Sequence, residues 1–143
     1  MNLCIHERDG EKKVFDGRQV YWLHTPEKTG GSYSSICTVS YDPGAKAKPA
    51  HAHDNGEETV YVLSGTGKVK VGDKVMGLEP GTLVLFPQGV PHMVWNTGDI
   101  PLHMVCFYAP NADAIQYTFY AVSYTHLLAP IRHRTRCRIS AFR

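Results

Sequence analysis

No apolar run in the 143 residues approaches the roughly 18 needed for a membrane-spanning helix, so no membrane partner is expected. Helical periodicity is equally scarce: no stretch between residues 19 and 108 repeats its apolar positions at helical spacing, which excludes bundles and coiled coils. The four cysteines, Cys4, Cys37, Cys106 and Cys137, form no C-x-x-C pair, which excludes a zinc ribbon or a dithiol redox motif. The opening MNLCIHERDGEKKVFDG is charged and has no signal-peptide core, so reduced thiols and a cytoplasmic location are expected. A Ser/His/Asp order and a phosphate-cradling glycine loop are also missing; Gly65-Thr66-Gly67 reads as a hairpin turn.

Acidic residues are absent from the last 22 positions, VSYTHLLAPIRHRTRCRISAFR, which hold five arginines. The formal charge of +2 therefore belongs to the tail, because the first 121 residues carry ten basic and thirteen acidic side chains, a difference of −3. No basic patch is left to argue for a nucleic-acid partner. One reading of residues 121–143 is an arginine-rich extension that meets a partner or an anionic surface. The other, which we favour, is a sequencing or cloning artefact: Val122 to Leu127 are what GTC TCT TAT ACA CAT CT encodes, and that string resembles a transposon end used in library adapters.

The length suits a single domain, assigned to residues 19–120 after a polar segment over 1–18. Strands are predicted at Gln19 to His24, Ser34 to Tyr41, Thr59 to Leu63, Lys68 to Val71, Lys74 to Leu78, Leu83 to Phe86, Pro91 to Trp95 and Leu102 to Tyr108. Turns at Asp16-Gly17, Asp42-Pro43-Gly44, Gly72-Asp73, Glu79-Pro80-Gly81 and Asn96 to Asp99 separate several of them. Strands at this spacing imply an all-β barrel or jelly roll. Asn111 to Tyr120 reads equally as a closing helix or a strand.

Chemistry gathers in PAHAHDNGEETVYVLSG and GTLVLFPQGVPHMVWN. His51 and His53, two apart on a strand, project from one face. The bend at 54–57 returns Glu58 to that face, in step with Val60 and Val62, while Glu57 points to solvent. His92 follows the rigid Pro87-Gln88-Gly89 turn. Three imidazoles and one carboxylate suit one divalent transition metal, Mn, Fe, Co, Ni, Cu or Zn, and disfavour Ca or Mg. An octahedral ion on four donors keeps positions open for water or substrate. A single His is ordinarily a surface or core residue, but here four donor-type and five turn or closing positions coincide, each expected at about 5% from composition.

The two stretches resemble the paired motifs of the cupin superfamily. Gly44, His51, His53, Glu58 and Gly65 match the first, with six residues between Gly44 and His51 where five are usual. Gly81, Pro87, Gly89, His92 and Asn96 match the second throughout, and the 15 residues between Gly65 and Gly81 are like those of compact single-domain cupins. The resemblance implies a cupin β-barrel and a mononuclear metal site on His51, His53, Glu58 and His92. It also implies a homodimer, for which the strand around Val20 to Leu23 offers an edge.

Function is expected to be enzymatic: a metal-dependent oxygenase, isomerase or lyase on a small oxygenated or carboxylated metabolite. The alternative is a binding module that holds a sugar, effector or metal without turnover. Tyr61, Phe86, Met93, Trp95, Met104 and Phe107 could line a pocket, although barrel core explains most of them. On the last strand, His103 and Cys106 have opposite parity, and either parity can face inward.

Overall fold

A computed structural model describes residues 3–112, 115–121 and 129–136. A 3-10 turn, Glu7–Asp9, leads into the hairpin of β1 (Glu11–Phe15) and β2 (Arg18–His24). A single helical turn, α1 (Pro26–Thr29), follows, its Lys28 amide donating to Thr25 Oγ1 at 3.2 Å. The remaining elements are β3 (Ser35–Tyr41), β4 (Ala50–His53), β5 (Glu57–Ser64), β6 (Gly67–Val71), β7 (Lys74–Leu78), β8 (Leu83–Phe86), β9 (His92–Asn96), β10 (Leu102–Ala109), β11 (Gln116–Ala121) and β12 (Ala129–Arg136).

They form two six-stranded antiparallel sheets, ordered β1-β2-β3-β10-β5-β8 and β12-β11-β4-β9-β6-β7, the jelly roll expected from the turn spacing. Alternation explains the layering. On β5 the buried Glu58, Val60 and Val62 face inward while Glu57, Tyr61 and Leu63 are exposed. On β10 the even positions Leu102, Met104 and Cys106 are buried, which settles that Cys106 and not His103 has the interior parity. Val60, Val62 and Val69, at most 1% exposed, pack with Leu102 and Met104, and each such buried side chain contributes about 1.5–3 kcal/mol.

Two motif glycines show why no other residue serves. Gly65 has φ +80°, and a Cβ there would lie 2.4 Å from the Pro101 carbonyl oxygen. Gly89 has φ +74° and donates its amide to the His53 carbonyl at 2.7 Å, so the turn that aims β9 is tied directly to β4. Asn96, the closing residue of the second motif, is buried and donates to the carbonyls of Tyr41 and Ile100 at 2.9 and 2.8 Å, locking the end of β9 in place.

Two expectations need revision, and one open alternative is decided. The polar segment over 1–18 contributes β1, whose Lys12, Val14 and Phe15 are exposed; an edge strand that buries little carries no alternation to read. Because β1 pairs with β2 from Glu11↔Trp22 to Phe15↔Arg18, the strand around Val20 to Leu23 lies between β1 and β3 and offers no edge to a second molecule. Within Asn111 to Tyr120, read as either a helix or a strand, the residues from Gln116 onward form a strand, β11, paired with β4 from Tyr117↔His53 to Tyr120↔Ala50. Of the tail, the backbone of β12 runs antiparallel to β11, and the Val122 to Leu127 string lies outside the described residues. Among the described residues no helix is long and apolar enough to cross a membrane.

Candidate metal centre

The fold brings His51, His53, Glu58 and His92 together from opposite layers. Both β4 histidines face the interior, and His51 stands in register with His92 of β9. Glu58 reaches them from β5 in the other sheet. The imidazole centroids lie 4.5 Å apart for His51–His92, 4.9 Å for His53–His92 and 5.3 Å for His51–His53. One donor atom from each of the four residues falls within 4.8 Å of all the others, close enough to share one ion.

Hydrogen bonds orient the donors. His92 Nδ1–H donates to the Val90 carbonyl at 3.0 Å, which leaves the lone pair on Nε2, and the Phe86 ring stacks on the imidazole at 4.0 Å and 10°. That Nε2 is buried, has no hydrogen-bond partner among the described residues, and lies 3.8 Å from Glu58 Oε2. His53 Nε2 donates to the same carboxylate oxygen at 2.9 Å, and its Nδ1 is also buried without a partner among the described residues. Leaving a buried polar atom unsatisfied costs about 1–3 kcal/mol. An orphaned imidazole lone pair on His92 Nε2 facing a carboxylate is what a cation between them would relieve, so the donor set fits a transition ion.

Electrostatics agree. Burial, reinforced by the neighbouring histidines, holds His92 down at about 4 and His51 well below the ordinary imidazole value. Burial would push the Glu58 carboxyl up, but the His53 hydrogen bond and the charges of His53, His92 and His51 outweigh it and hold it at about 2. At neutral pH the site thus offers an ionised carboxylate together with neutral imidazoles at His51 and His92, the forms that bind metal.

The sequence model of the cupin domain matches residues 37–108, a span that contains all four donors and ends on β10. The chain is a cupin. It is 32% identical over 96 residues to Protein SchB of Streptomyces halstedii, a match that takes in 67% of this chain and 69% of that protein. It is also 32% identical over 87 residues to a germin-like protein, subfamily 2 member 1, of Arabidopsis thaliana, covering 57% of this chain; this cupin spans only 39% of that relative's length. Among solved structures, a cupin-superfamily sugar phosphate isomerase from Silicibacter pomeroyi superposes with a TM-score of 0.68 at 22% identity, covering 94% of this chain and 92% of that one. At that identity the likeness establishes the fold.

Within this cupin barrel the donor cluster opens on a cavity of about 260 Å³, whose walls are mostly apolar. Of the pocket candidates read from the sequence, Phe86, Met93 and Met104 line it. Trp95 is half-buried outside it, and Tyr61 and Phe107 face solvent at 41% and 44% exposure, because their parity puts them on the outer face of the sheet. Sequence reasoning missed Arg18, Trp22, Tyr41, Tyr108, Tyr117 and Phe119, all of which line the cavity. They come from β2, β3, β10 and β11, outside the two motif stretches, and only the interior parity of each strand could have marked them. Burial pushes the Tyr41 phenol up to about 12 and moves Tyr108 upward as well, so both remain protonated hydrogen-bond donors at neutral pH.

Proposed function

We propose that this cupin holds one divalent transition ion (Mn, Fe, Co, Ni, Cu or Zn) on His51, His53, Glu58 and His92 and is an enzyme acting on a small oxygenated or carboxylated metabolite. The observation that carries this reading is the position of the donors: His51, Glu58 and His92 line a cavity, and the fully buried His53 completes the cluster beside them. The cavity, about 260 Å³, is smaller than the roughly 300–1,000 Å³ of pockets for drug-sized ligands, which favours a small metabolite. An ion held on these four donors would have room for a ligand from that cavity. When bound, such an ion supplies Lewis acidity to an oxygen of the substrate or a seat for dioxygen. Oxidation, isomerisation or elimination are the reaction classes in view, and the structural likeness to a sugar phosphate isomerase is compatible with the second.

The chain's own residues account for the rest. Trp22, Tyr108, Tyr117 and Phe119 give the mostly apolar cavity an aromatic part of its wall that displaces water from a bound molecule. Tyr41 and Tyr108, kept protonated, present O–H donors to its oxygens. Phe86 and Val90 hold the His92 ring in one plane, so that a ligand meets a preorganised site.

Elemental analysis of purified protein tests the site. About one equivalent of a first-row metal is expected in wild type, with loss in His53→Ala and Glu58→Ala; no metal, or unchanged content in both variants, refutes it. Metal-dependent oxygen consumption or product formation over a panel of hydroxy acids, keto acids and sugar phosphates supports an enzyme. Binding without turnover would instead return the non-enzymatic module.

The same reading includes a homodimer, now resting on a different surface. Tyr61 and Leu63 of β5, Leu83 and Leu85 of β8 and Phe107 of β10 are large, apolar and 41–63% exposed on the outer face of one sheet. Light scattering at micromolar concentration should give twice the chain mass; a monomer throughout rules this out.

A further inference from the structure

We propose that Arg18 is the specificity-determining residue of the cavity, which anchors the anionic group of a substrate whose other end meets the donor cluster. Arg18 opens β2 and stands opposite Tyr41 of β3, to whose hydroxyl its Nη1 donates at 3.3 Å. Its guanidinium also lies 4.7 Å from the centre of the Phe15 ring, so the side chain is held on two sides. Both contacts position the fork without neutralising it. Among the described residues no carboxylate lies within ion-pair distance of Arg18.

The charge balance of the cavity points the same way. Three cationic side chains, Lys13, Arg18 and Lys48, line it against one carboxylate, Glu58, which is committed to the histidines. Lys13 already has a partner in Glu11 at 3.4 Å. With a divalent ion on a single carboxylate the donor cluster would be net positive too, so that the mostly apolar chamber would carry positive charge both there and at Arg18. A half-buried guanidinium without a counter-ion is costly, and a molecule that brings its own anion removes the cost.

The planar fork of arginine matches a carboxylate with two parallel hydrogen bonds, which a lysine at this place would not do. Phe15, Arg18 and Lys48 also border a second pocket that includes Asp16 and Lys46, so Arg18 is shared between that pocket and the cavity. The substrate class that fits is a small dianion, at least one of whose anionic groups is a carboxylate, with its uncharged middle against the aromatic wall.

This inference rests on the metalloenzyme reading for the second contact, and calorimetry with a defined probe separates the two. Succinate and its monoamide, succinamate, are titrated into the protein as purified, with metal content read in each sample. Wild type should prefer succinate. Arg18→Gln should lower succinate affinity about tenfold or more while succinamate binding changes by less than about twofold, the loss expected for one charge-assisted bidentate contact. Metal content should not change. Arg18→Lys, which keeps the charge and loses the fork, should fall between, and it carries the comparison should the glutamine variant fail to fold.

Equal or absent binding of the two probes in wild type overturns the proposal, as does succinate affinity unchanged in either variant. Metal-free protein that still prefers succinate through Arg18 would sink the metalloenzyme reading and leave this anchor standing.

Discussion

Acid should unfold the metal-free protein earlier than its carboxylates alone would require, because His92 is buried in neutral form. Its value falls from 6.5 to about 4 on folding. Between those limits the unfolded chain binds a proton that the folded chain refuses, so stability falls as pH falls through this window and is unaffected above it. Moving from about pH 7.5 to about pH 4.5 should cost on the order of 2–3 kcal/mol from this residue, at about 1.4 kcal/mol for each unit between the two values. His51 is shifted in the same direction and adds to the loss. Below that, Glu58, held at about 2 against an ordinary 4.5, extends the decline through the lower window as its carboxylate takes up a proton. Urea unfolding in the presence of a chelator, followed by the fluorescence of Trp22 and Trp95, measures the effect directly. His92→Leu supplies the control: with no titrating group there, its stability should decline less over the same pH interval, by the roughly 2–3 kcal/mol assigned to His92. Parallel declines in wild type and His92→Leu would refute the argument, since the burial of His92 would then have no thermodynamic consequence.

Phe86→Ala removes a side chain that is 2% exposed and stacked on His92, and should cost about 3–5 kcal/mol by denaturant titration and weaken metal retention together. A loss under about 1 kcal/mol would show the ring to be dispensable. Gly65→Ala meets a positive φ and a carbonyl oxygen 2.4 Å from its new Cβ, so thermal melting should fall by an amount equivalent to roughly 2 kcal/mol or more; an unchanged melt would contradict the turn geometry. Added divalent metal should raise the melting temperature of wild type and leave Glu58→Gln almost unmoved, since binding only to the folded state adds about 1.4 kcal/mol for each tenfold excess over the dissociation constant. Equal shifts in both proteins would place the ion elsewhere.

Much of this was legible in the chain because alternation and turn chemistry are local. Lys74 to Leu78 and Leu83 to Phe86 are strands with the bounds read from sequence, each pinned by a glycine-containing turn that fixes register. The four donors were legible for a related reason: three of them sit at motif spacings on two strands, and Glu58 follows from parity. What could not be read depends on long-range pairing. Glu11–Phe15 has the composition of a solvated loop and becomes a strand through contact with β2. Arg18, Tyr41 and Tyr117 meet in one cavity from positions scattered over most of the chain, and no local pattern around them announces it. Tyr61 and Phe107 show the converse, since their hydrophobicity implied the interior while parity turned them outward.

Three imidazoles belong to one sheet and the lone carboxylate to the other. The spacing of the coordination sphere is therefore the spacing of the two layers, and a spectroscopically active ion such as cobalt would act as a strain gauge for the whole sandwich. Conservative changes beneath it, such as Val60→Ala or Val62→Ala, should register in the ligand-field spectrum well before either layer separates, because the polyhedron around the ion distorts as soon as its two halves drift.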